Sequence, residues 1–510
     1  MPKLRLNGGA YTARSPIAGA TRCINLFPER NPDEIDPEAP FTHYPRPGLR
    51  LLNSPPAGQQ GRGRGVFRVS NGDLYGVVGP NVYYIDPNWN YNKIGAIANQ
   101  FTPVSMADNG QSNGNQIILV DNTPLGYQIN MSSRQMVQIV DVSGLFTGAT
   151  RVDFFDTFFV LNQIGTNNWY TSLSEQVAFN ALDLASKGTF GDPIQSLIMS
   201  QHNLWLVGSM TAEPWFDAGN AIFPFEQVFS QLVPHGTIAP YSVCATDVNA
   251  FWLSQDKDGR AILLKIEGYA AKRISTFALE DEWITYPQVA DALCYTYQMG
   301  GHTFVVIHFP SADRSFGYDL ATGQWHRRAS IDMNGTLHRE KVAFHAFVGP
   351  PYPNTNVGMD WATGQIYAID QSVFTDNGQP IPFVRSFPHI VNEMKEVTIP
   401  DLVIDMQTGT QPNTGEVQQI LNPFSNGFSS GFGPLTRVDA PMIGVRISKD
   451  SGASWGNYRF KTLVSAGHDR SMMRWRGWGM GRDIAVEVAW SAPFLTGLNQ
   501  AFFDAVEHSA

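Results

Sequence analysis

The sequence predicts an all-β protein, with a β-propeller of about six or seven blades followed by a smaller C-terminal β-sandwich domain. Three observations favour this class. Only 16% of the 510 residues are charged, while 47 Gly, 33 Pro and 32 Phe supply turn formers and aromatic side chains. Strand–turn–strand units recur along the chain, and patterns typical of long helices are nearly absent. Such a chain favours compact sheets joined by tight turns.

Recurrent hairpins carry the propeller prediction. In each, Gly, Asn or Asp lies between two runs of β-branched and aromatic residues and can adopt the positive φ that a tight turn needs. The six units span residues 73–86, 197–209, 242–254, 294–309, 315–328 and 359–370. Two of them turn on the same Ala-Thr-Gly-Gln sequence, at 321–324 and 362–365, about 40 residues apart. That interval is typical of propeller blades.

The domain prediction divides the chain at residue 395. The propeller is assigned to residues 1–395 and the sandwich-like domain to 396–510, where four or more strands follow a proline-broken stretch. Early in the second part, the polar, Gly-rich segment 408–435 is predicted to be an exposed loop.

Two local elements are predicted within the propeller. The segment Cys-Ile-Asn-Leu-Phe-Pro-Glu at 23–29 is expected to complete a blade, because pairing an N-terminal strand with a later blade removes a free edge. A short helix is expected within residues 275–286, with Ser275 or Thr276 as its cap and Glu280 and Glu282 in its first turns.

Charge, cysteines and hydropathy exclude several classes of protein. The net charge is −10 and the pI is about 5.6, so the chain does not recruit nucleic acid by neutralising phosphates. Cys23, Cys244 and Cys294 are isolated in the sequence and are predicted to be small buried apolar residues in a reducing compartment. The sequence shows no secretory signal and no run of 18 apolar residues, so we expect no membrane anchor.

Residues 445–460 contain a recognisable turn motif. Ser448, Asp450, Gly452 and Trp455 have the spacing of the Asp box, a hairpin turn that recurs in sialidases. Ser448 and Asp450 can accept hydrogen bonds from amides two or three residues on, Gly452 can take a positive φ, and Trp455 can cover the core beneath. All four roles stabilise a hairpin and none contacts a substrate, so we predict a structural turn.

The remaining motifs do not indicate an enzyme. A sialidase needs three arginines for the substrate carboxylate and a tyrosine nucleophile beside an acid, and it usually repeats the Asp box, of which this chain has one clear copy. The histidines form no HExxH motif, and the Gly-Arg-Gly-Arg-Gly loop at 61–65 lacks the Lys-Ser/Thr of a phosphate loop. We predict no catalytic residue, no metal site and no cofactor.

Arginines and tryptophans alternate near the C-terminus. The candidate interface residues in this stretch are Arg470, Arg474, Trp475, Arg476, Trp478 and Arg482. One interpretation is an amphipathic strand with tryptophans inward and arginines outward. The others are a contact with a partner protein and a surface that stacks nucleic-acid bases.

Several stretches resemble one family in order and spacing. They are Arg-Cys-Ile-Asn-Leu-Phe-Pro-Glu-Arg-Asn-Pro at 22–32, residues 44–52, 63–85, 165–175 and 191–219, the Asp-box segment 445–456, and residues 474–493. Together they resemble the tail hub, or packaged-DNA stabilisation, proteins of short-tailed bacteriophages, also called podovirus tail accessory factors. The resemblance covers most of the chain, and it departs in the glycine-rich stretch 405–440.

This resemblance implies a non-enzymatic structural protein of the phage tail, assembled in the host cytoplasm. Six copies would form a ring below the portal and its adaptor, close the DNA exit channel and retain packaged DNA. A tail needle or nozzle would lie beneath the ring and fibres or spikes at its sides. DNA would pass without sequence-specific binding. The propeller is also implied by the family.

Two alternatives stay open from the sequence: a carbohydrate-binding propeller and a sialidase-like glycosidase. A stable ring favours the hub, whereas a monomer with affinity for glycans favours the alternatives.

Overall fold

A computed structural model describes residues 3–4, 15, 21–31, 41–112, 114–220, 223–229, 231–391, 395–408, 420–424, 433, 435–438, 440–463 and 470–507. Strands take 52% of the residues and helices 2%, so the predicted all-β class is confirmed.

Seven four-stranded antiparallel units follow one another within the described residues, and we number them as blades 1 to 7. Blades 1 to 5 are separate sheets, whereas blades 6 and 7 are parts of larger sheets of ten and six strands. Blade 1 contains Gly63–Arg68, Leu74–Val78, Asn81–Ile85 and Tyr91–Ala96; blade 2, Ser105–Asp108, Gln116–Val120, Gly126–Asn130 and Met136–Gln138; blade 3, Val152–Phe155, Phe158–Asn162, Asn168–Thr171 and Leu184–Ser186; blade 4, Ile194–Ser200, Asn203–Gly208, Ala212–Asp217 and Phe225–Gln227; blade 5, Cys244–Ala245, Ala250–Gln255, Ala261–Glu267 and Ala270–Arg273; blade 6, Leu293–Met299, His302–Phe309, Arg314–Asp319 and Gln324–Arg328; and blade 7, Val342–Val348, Thr355–Asp360, Ile366–Asp370 and Gly48–Asn53.

The seven blades form a closed ring. A buried apolar cluster lies between each pair of neighbouring blades, including blades 7 and 1. The first strand of blade 1 also contacts the first strand of blade 7. Here the chains approach so closely that a Cβ atom at Gly63 would collide with the carbonyl oxygen of Asp360. Radial closure leaves few free sheet edges and makes the ring rigid. The predicted β-propeller is confirmed.

An N-terminal strand completes blade 7, although it is not the strand that the sequence indicated. Gly48–Asn53 pairs antiparallel with Ile366–Asp370 as the fourth strand of that blade. The predicted segment 23–29 lies elsewhere. Its first part, Cys23–Ile24, pairs with the outer strand of blade 6, and its second part, Leu26–Arg30, joins a separate sheet.

Two sheets beyond the propeller pack into a sandwich. Sandwich sheet 1 contains, in order, Leu26–Arg30, Phe41–Pro45, Thr496–Phe503, Val397–Thr408 and Arg470–Gly481, with Lys3–Leu4 and Val506–Glu507 paired at its side. Sandwich sheet 2 contains Cys23–Ile24, Phe383–Ser386, Asp483–Trp490, Met442–Ser448 and Arg459–Thr462, with Ile390–Val391 beside it. Buried side chains from both sheets, among them Leu402, Trp475 and Trp490, form one apolar core.

Sandwich sheet 2 is continuous with blade 6. Ile24 pairs in parallel with Arg327 of the outer blade strand, and on its other side with Val384. Strands from residues 23–45 and 383–391 therefore pair with C-terminal strands, across the predicted boundary at 395. The division into domains 1–395 and 396–510 remains a prediction. Much of the predicted loop 408–435 lies outside the described residues.

The remaining elements are short. The α-helix Phe277–Trp283 begins after Thr276, as predicted, but no side chain makes the capping hydrogen bond. Instead, the buried Glu280 accepts a hydrogen bond from the Ser275 hydroxyl (2.6 Å). The other short elements are the 3-10 helix Pro240–Ser242 and the hairpins Ser330–Ile331 with Leu337–His338, Thr375–Asp376 with Gln379–Pro380, and Ile420–Asn422 with Thr436–Val438.

Candidate assembly interface

The Asp450 side chain makes its hydrogen bonds inside its own turn. Its carboxylate accepts hydrogen bonds from the Ser454 amide (2.8 Å), the Ser448 hydroxyl (2.6 Å) and the Ser454 hydroxyl (2.5 Å). The Ser448 oxygen accepts from the Gly452 amide (2.8 Å), and Gly452 has a φ of 84°. The Ser448 oxygen also accepts, at 3.4 Å, from the Asp450 amide two residues on, as predicted. The two shorter bonds come from amides four residues on, one residue farther than predicted. The hydrogen bonds from Ser448 and Ser454 lower the pKa of Asp450 to about 2.

Trp455 packs on a buried ion pair rather than on apolar core. Its half-buried ring lies 5.0 Å from the guanidinium carbon of Arg446. Arg446 Nε donates a hydrogen bond to Glu487 Oε1 (2.8 Å), and Arg446 Nη2 lies 2.6 Å from the same oxygen. Burial alone would raise the pKa of Glu487, but Arg22 and Arg446 hold it below its ordinary value. The turn is thus fixed over a charged pair of sandwich sheet 2, and its structural role remains a prediction.

The strand Arg470–Gly481 alternates between core and surface. Trp475 and Trp478 are each only 4% exposed and belong to the sandwich core, whereas Arg474 and Arg476 are exposed. The alternation holds up to Arg476, and the shift in pairing register between Ile399 and Asp401 then returns Trp478 to the core. Both tryptophans are buried, so neither can stack on a partner. Of the predicted interface residues, only the arginines can therefore contact a partner protein. Their role in an interface is still a prediction.

The exposed arginines differ in their partners. Arg470 donates two 2.7 Å hydrogen bonds to the carboxylate of Asp405, which raise the pKa of Arg470. The looser pairs are Arg476 Nε with Asp401 Oδ1 (3.5 Å) and Arg482 Nη2 with Glu396 Oε1 (3.6 Å). In the described part of the chain, Arg474 has no ion-pair partner.

Side chains from sandwich sheet 2 cover this strand, which forms the edge of sandwich sheet 1. Arg459 donates to the Arg476 carbonyl (2.9 Å), and Lys461 donates to the Arg474 carbonyl (2.5 Å). In return, Trp475 Nε1 donates to the Arg459 carbonyl (2.9 Å). Charged side chains over an edge discourage the addition of another strand.

The result is a row of cations on an otherwise acidic protein. We call Arg459, Lys461, Arg470, Arg474 and Arg476 the basic edge. Arg470 and Arg476 have side chains that are 64% and 78% exposed, so their charges face solvent. Such a surface is suited to bind carboxylates of another protein, since arginine often carries interface energy.

A buried polar junction was not foreseen from the sequence. Asn25 takes a positive φ of 57° and donates from Nδ2 to the carbonyls of Ala329 and Pro382 (both 2.9 Å). Its Oδ1 accepts from Arg46 Nε (2.9 Å). This one side chain thus joins the end of blade 6, the entry to sandwich sheet 2 and the segment before the closing strand. An asparagine within an apolar run and an arginine between two prolines were the available signals.

An open depression on the propeller was also not foreseen. It lies where the first and second strands of blades 3, 4 and 5 turn, and its volume is about 770 Å³. Its lining includes Phe155, Asp156, His202, Phe216 and Asp217. Burial and the neighbouring carboxylate of Asp217 raise the pKa of Asp156. Aromatic rings beside carboxylates can bind polar ligands with apolar faces.

Among the described residues, no group of three or more His, Cys, Asp or Glu side chains is arranged to hold a metal ion. No helix there is both long enough and apolar enough to cross a membrane.

Comparisons with known proteins identify the propeller. A family model described as "Bacteriophage P22 Gp10, beta-propeller" matches residues 38–333, which include the closing strand and blades 1 to 6. The basic edge and the Asp-box turn lie beyond that match. A solved structure of the WD40 β-propeller domain of Doa1 aligns with 63% of this chain and 97% of that chain, at 8% identity and a TM-score of 0.37. No curated protein matches.

The family model spans more than half of the chain, and its propeller is the fold described above. Its members are bacteriophage structural proteins, which agrees with the resemblance seen in the sequence and favours a non-enzymatic role in the virion. The chain therefore belongs to the phage stabilisation family described by the β-propeller of bacteriophage P22 Gp10.

Proposed function

We propose that this chain is the hub of a short-tailed phage tail. Six copies form a ring below the portal and its adaptor, close the DNA exit channel and retain packaged DNA. The ring anchors a needle or nozzle beneath it and fibres or spikes at its sides. The observation that carries this proposal is the family match over residues 38–333.

The way the propeller and the sandwich are joined supports this role. A closure that holds back compressed DNA must resist deformation, and a seven-blade ring with a sandwich paired to blade 6 gives one stiff body. Ile24 lies at that junction, paired to Arg327 on one side and Val384 on the other. A net charge of −10 also keeps the surface from binding DNA phosphates as the genome passes.

The basic edge provides the contact between copies, or between a copy and the adaptor. Free copies carry the same net charge and repel each other, so we expect isolated protein to be monomeric. The portal platform brings copies close together, and Arg474, which lacks an ion-pair partner among the described residues, then meets a carboxylate of its neighbour.

Complementation of a phage that lacks this gene tests the proposal. Particles assembled without the protein should package DNA and then lose it, which is measured as nuclease-sensitive DNA and loss of infectivity. Supplying the wild-type protein should restore both. Particles that keep their DNA and infect normally without the protein would contradict the hub.

The depression of blades 3 to 5 favours carbohydrate binding as a second candidate function. Phe216 is partly exposed beside Asp217, so a sugar could stack on the ring and hydrogen-bond to the carboxylate. Hydrolysis of sialic acid is less well supported, because a sialidase needs three arginines for the substrate carboxylate. The described residues that line the depression include no arginine.

Glycan binding separates the two candidates. Titration of purified protein with host polysaccharide should give no binding if the hub function stands alone. Saturable binding that Phe216→Ala abolishes, in a protein that stays monomeric on portal rings, would favour the carbohydrate-binding propeller.

A further inference from the structure

Two of the three cysteines face each other across a blade interface. Cys244 begins the first strand of blade 5 and Cys294 lies in the first strand of blade 6, and their Sγ atoms are 3.2 Å apart. The two strands are held together beside this pair, because the Thr296 hydroxyl donates to the Ala245 carbonyl (2.7 Å). A disulfide bond needs its sulfurs about 2.05 Å apart, so a shift of roughly 1 Å would suffice to form one.

A small molecule can reach this pair from the centre of the ring. Cys294 is partly exposed and lines a cavity of about 150 Å³, whose wall also includes Arg151, Tyr241 and His345. A cavity of this size admits water or a peroxide. Cys23 differs, because it is buried in the sandwich core and its thiol donates to the Leu26 carbonyl (3.2 Å).

The surroundings of the two thiols are unequal. Burial, together with the neighbouring Cys244, raises the pKa of the Cys294 thiol well above its ordinary value. The Arg151 guanidinium interacts electrostatically with Cys244 and donates to the carbonyl of the preceding residue, Val243 (3.1 Å). Arg151 also lines the cavity beside Cys294, and a positive charge there stabilises the thiolate that a peroxide oxidises.

We propose that Cys244 and Cys294 form a peroxide-driven disulfide that links blades 5 and 6 at the wall of the central cavity. Cys294, the sulfur that lines the cavity, attacks one peroxide oxygen as its thiolate, the O–O bond breaks, and Cys294 becomes a sulfenic acid while hydroxide leaves and takes up a proton as water. The Cys244 sulfur then attacks the Cys294 sulfur, an S–S bond forms, and the hydroxyl leaves with the Cys244 thiol proton as a second water. Both cysteines are oxidised and one hydrogen peroxide is reduced to two waters.

The link would stabilise the ring against separation of two blades. It joins residues 50 positions apart in the sequence, and closing such a loop restricts the unfolded chain. We expect the melting temperature to rise by roughly 5 °C on oxidation and to fall back on reduction with dithiothreitol. This inference does not depend on the tail role.

The experiment treats purified full-length protein with hydrogen peroxide, removes the peroxide with catalase and digests the protein without reduction. Mass spectrometry should find a peptide pair joined through residues 244 and 294. Cys244→Ser and Cys294→Ser should each lose both the joined peptides and the rise in melting temperature. Cys23→Ser, the matched control, should keep both.

The wild-type protein alone gives a decisive result if a serine variant does not fold. Joined 244–294 peptides, together with a reversible rise in melting temperature, support the proposal. Unlinked cysteines after peroxide, sulfinic acid at Cys294 without a link, or an unchanged melting temperature would overturn it.

Discussion

Arg46 and Asp376, 330 positions apart in the sequence, form a fully buried ion pair with two hydrogen bonds, of 2.6 and 3.1 Å. Arg46 precedes the closing strand of blade 7, and Asp376 pairs beside that strand in register with Leu49. Burial would lower the pKa of Arg46, but Asp376 and Glu340 raise it. The pair therefore holds the N-terminal segment against the last blade of the ring.

Breaking this pair should destabilise the protein strongly. In Asp376→Asn, Arg46 keeps its charge in a buried site without its hydrogen-bonded carboxylate, and only Glu340 remains, 3.9 Å away. Breaking such a buried pair typically costs about 3–5 kcal/mol. Arg50→Gln is the matched control, because the side chain of Arg50 is 57% exposed and only 3.8 Å from Asp370, and such pairs contribute about 1 kcal/mol or less. Urea denaturation of both variants measures the difference, and equal losses would contradict the role given to Arg46.

Asp450→Ala should weaken the Asp-box turn without any change in activity on glycans. The loss of the carboxylate that accepts from Ser454 should cost about 0.5–2 kcal/mol, by analogy with helix caps. Because the folded pKa is about 2, below the unfolded value, the stabilisation is complete above the unfolded pKa and is lost as pH falls through the folded one. The gap in melting temperature between wild type and variant should thus be constant near neutral pH and shrink between about pH 4 and pH 2. Glycan hydrolysis by wild type that disappears in the variant would contradict a structural turn.

As pH falls, one buried histidine should lower the free energy of unfolding and another should raise it. His308 is fully buried beside the Ser315 hydroxyl (2.7 Å), and burial together with Arg339 and Arg328 holds its pKa well below 6.5. The unfolded chain therefore takes up a proton first, and stability is lost as pH falls below about 6.5, at up to about 1.4 kcal/mol per pH unit. His308→Asn should reduce this loss between pH 7 and pH 5 in denaturation midpoints.

His302 provides the opposite control. Its hydrogen bond to Asp319 (2.9 Å) raises its pKa, so its contribution is complete below the unfolded pKa and is lost as pH rises through the folded value. His302→Asn should therefore make the acid loss of stability steeper. If both variants change the pH profile in the same direction, the assignment is wrong.

Reversing charge on the basic edge should prevent assembly and leave the fold intact. Arg474→Glu with Arg476→Glu changes two outward side chains, while Trp475 between them stays in the core. We expect an unchanged melting temperature, no incorporation into particles, and leakage of DNA. Lys257→Glu, an exposed cation in a turn of blade 5, is the control and should assemble normally. A folded double variant that supports full infectivity would exclude this surface as an interface.

Local sequence patterns predicted which turns form better than they predicted where those turns lie in the fold. The Ala-Thr-Gly-Gln turns formed as expected, each with an Asp side chain accepting from the alanine amide two residues on: Asp319 from Ala321 (3.0 Å) and Asp360 from Ala362 (2.6 Å). However, the two turns lie at different places in their blades. The first connects the third and fourth strands of blade 6, and the second connects the second and third strands of blade 7. Their interval therefore does not measure the blade repeat, since a turn motif encodes only its own geometry.

The partners in the buried ion pair and in the cysteine pair were harder to predict, because these contacts join positions far apart in the sequence. Nothing near Arg46 in the sequence indicates Asp376, and nothing near Cys244 indicates Cys294. In contrast, the alternation of Arg474, Trp475 and Arg476 was enough to indicate which side chains face outward, since a strand has a period of two.

Cryo-microscopy of the intact phage particle would show whether this protein is the tail hub. We expect six copies in a ring below the portal and adaptor, with the basic edge of each copy against a carboxylate-bearing surface of a neighbouring copy or of the adaptor. Copies found away from the DNA exit, or a ring of another symmetry in which Arg474 and Arg476 face open solvent, would contradict it.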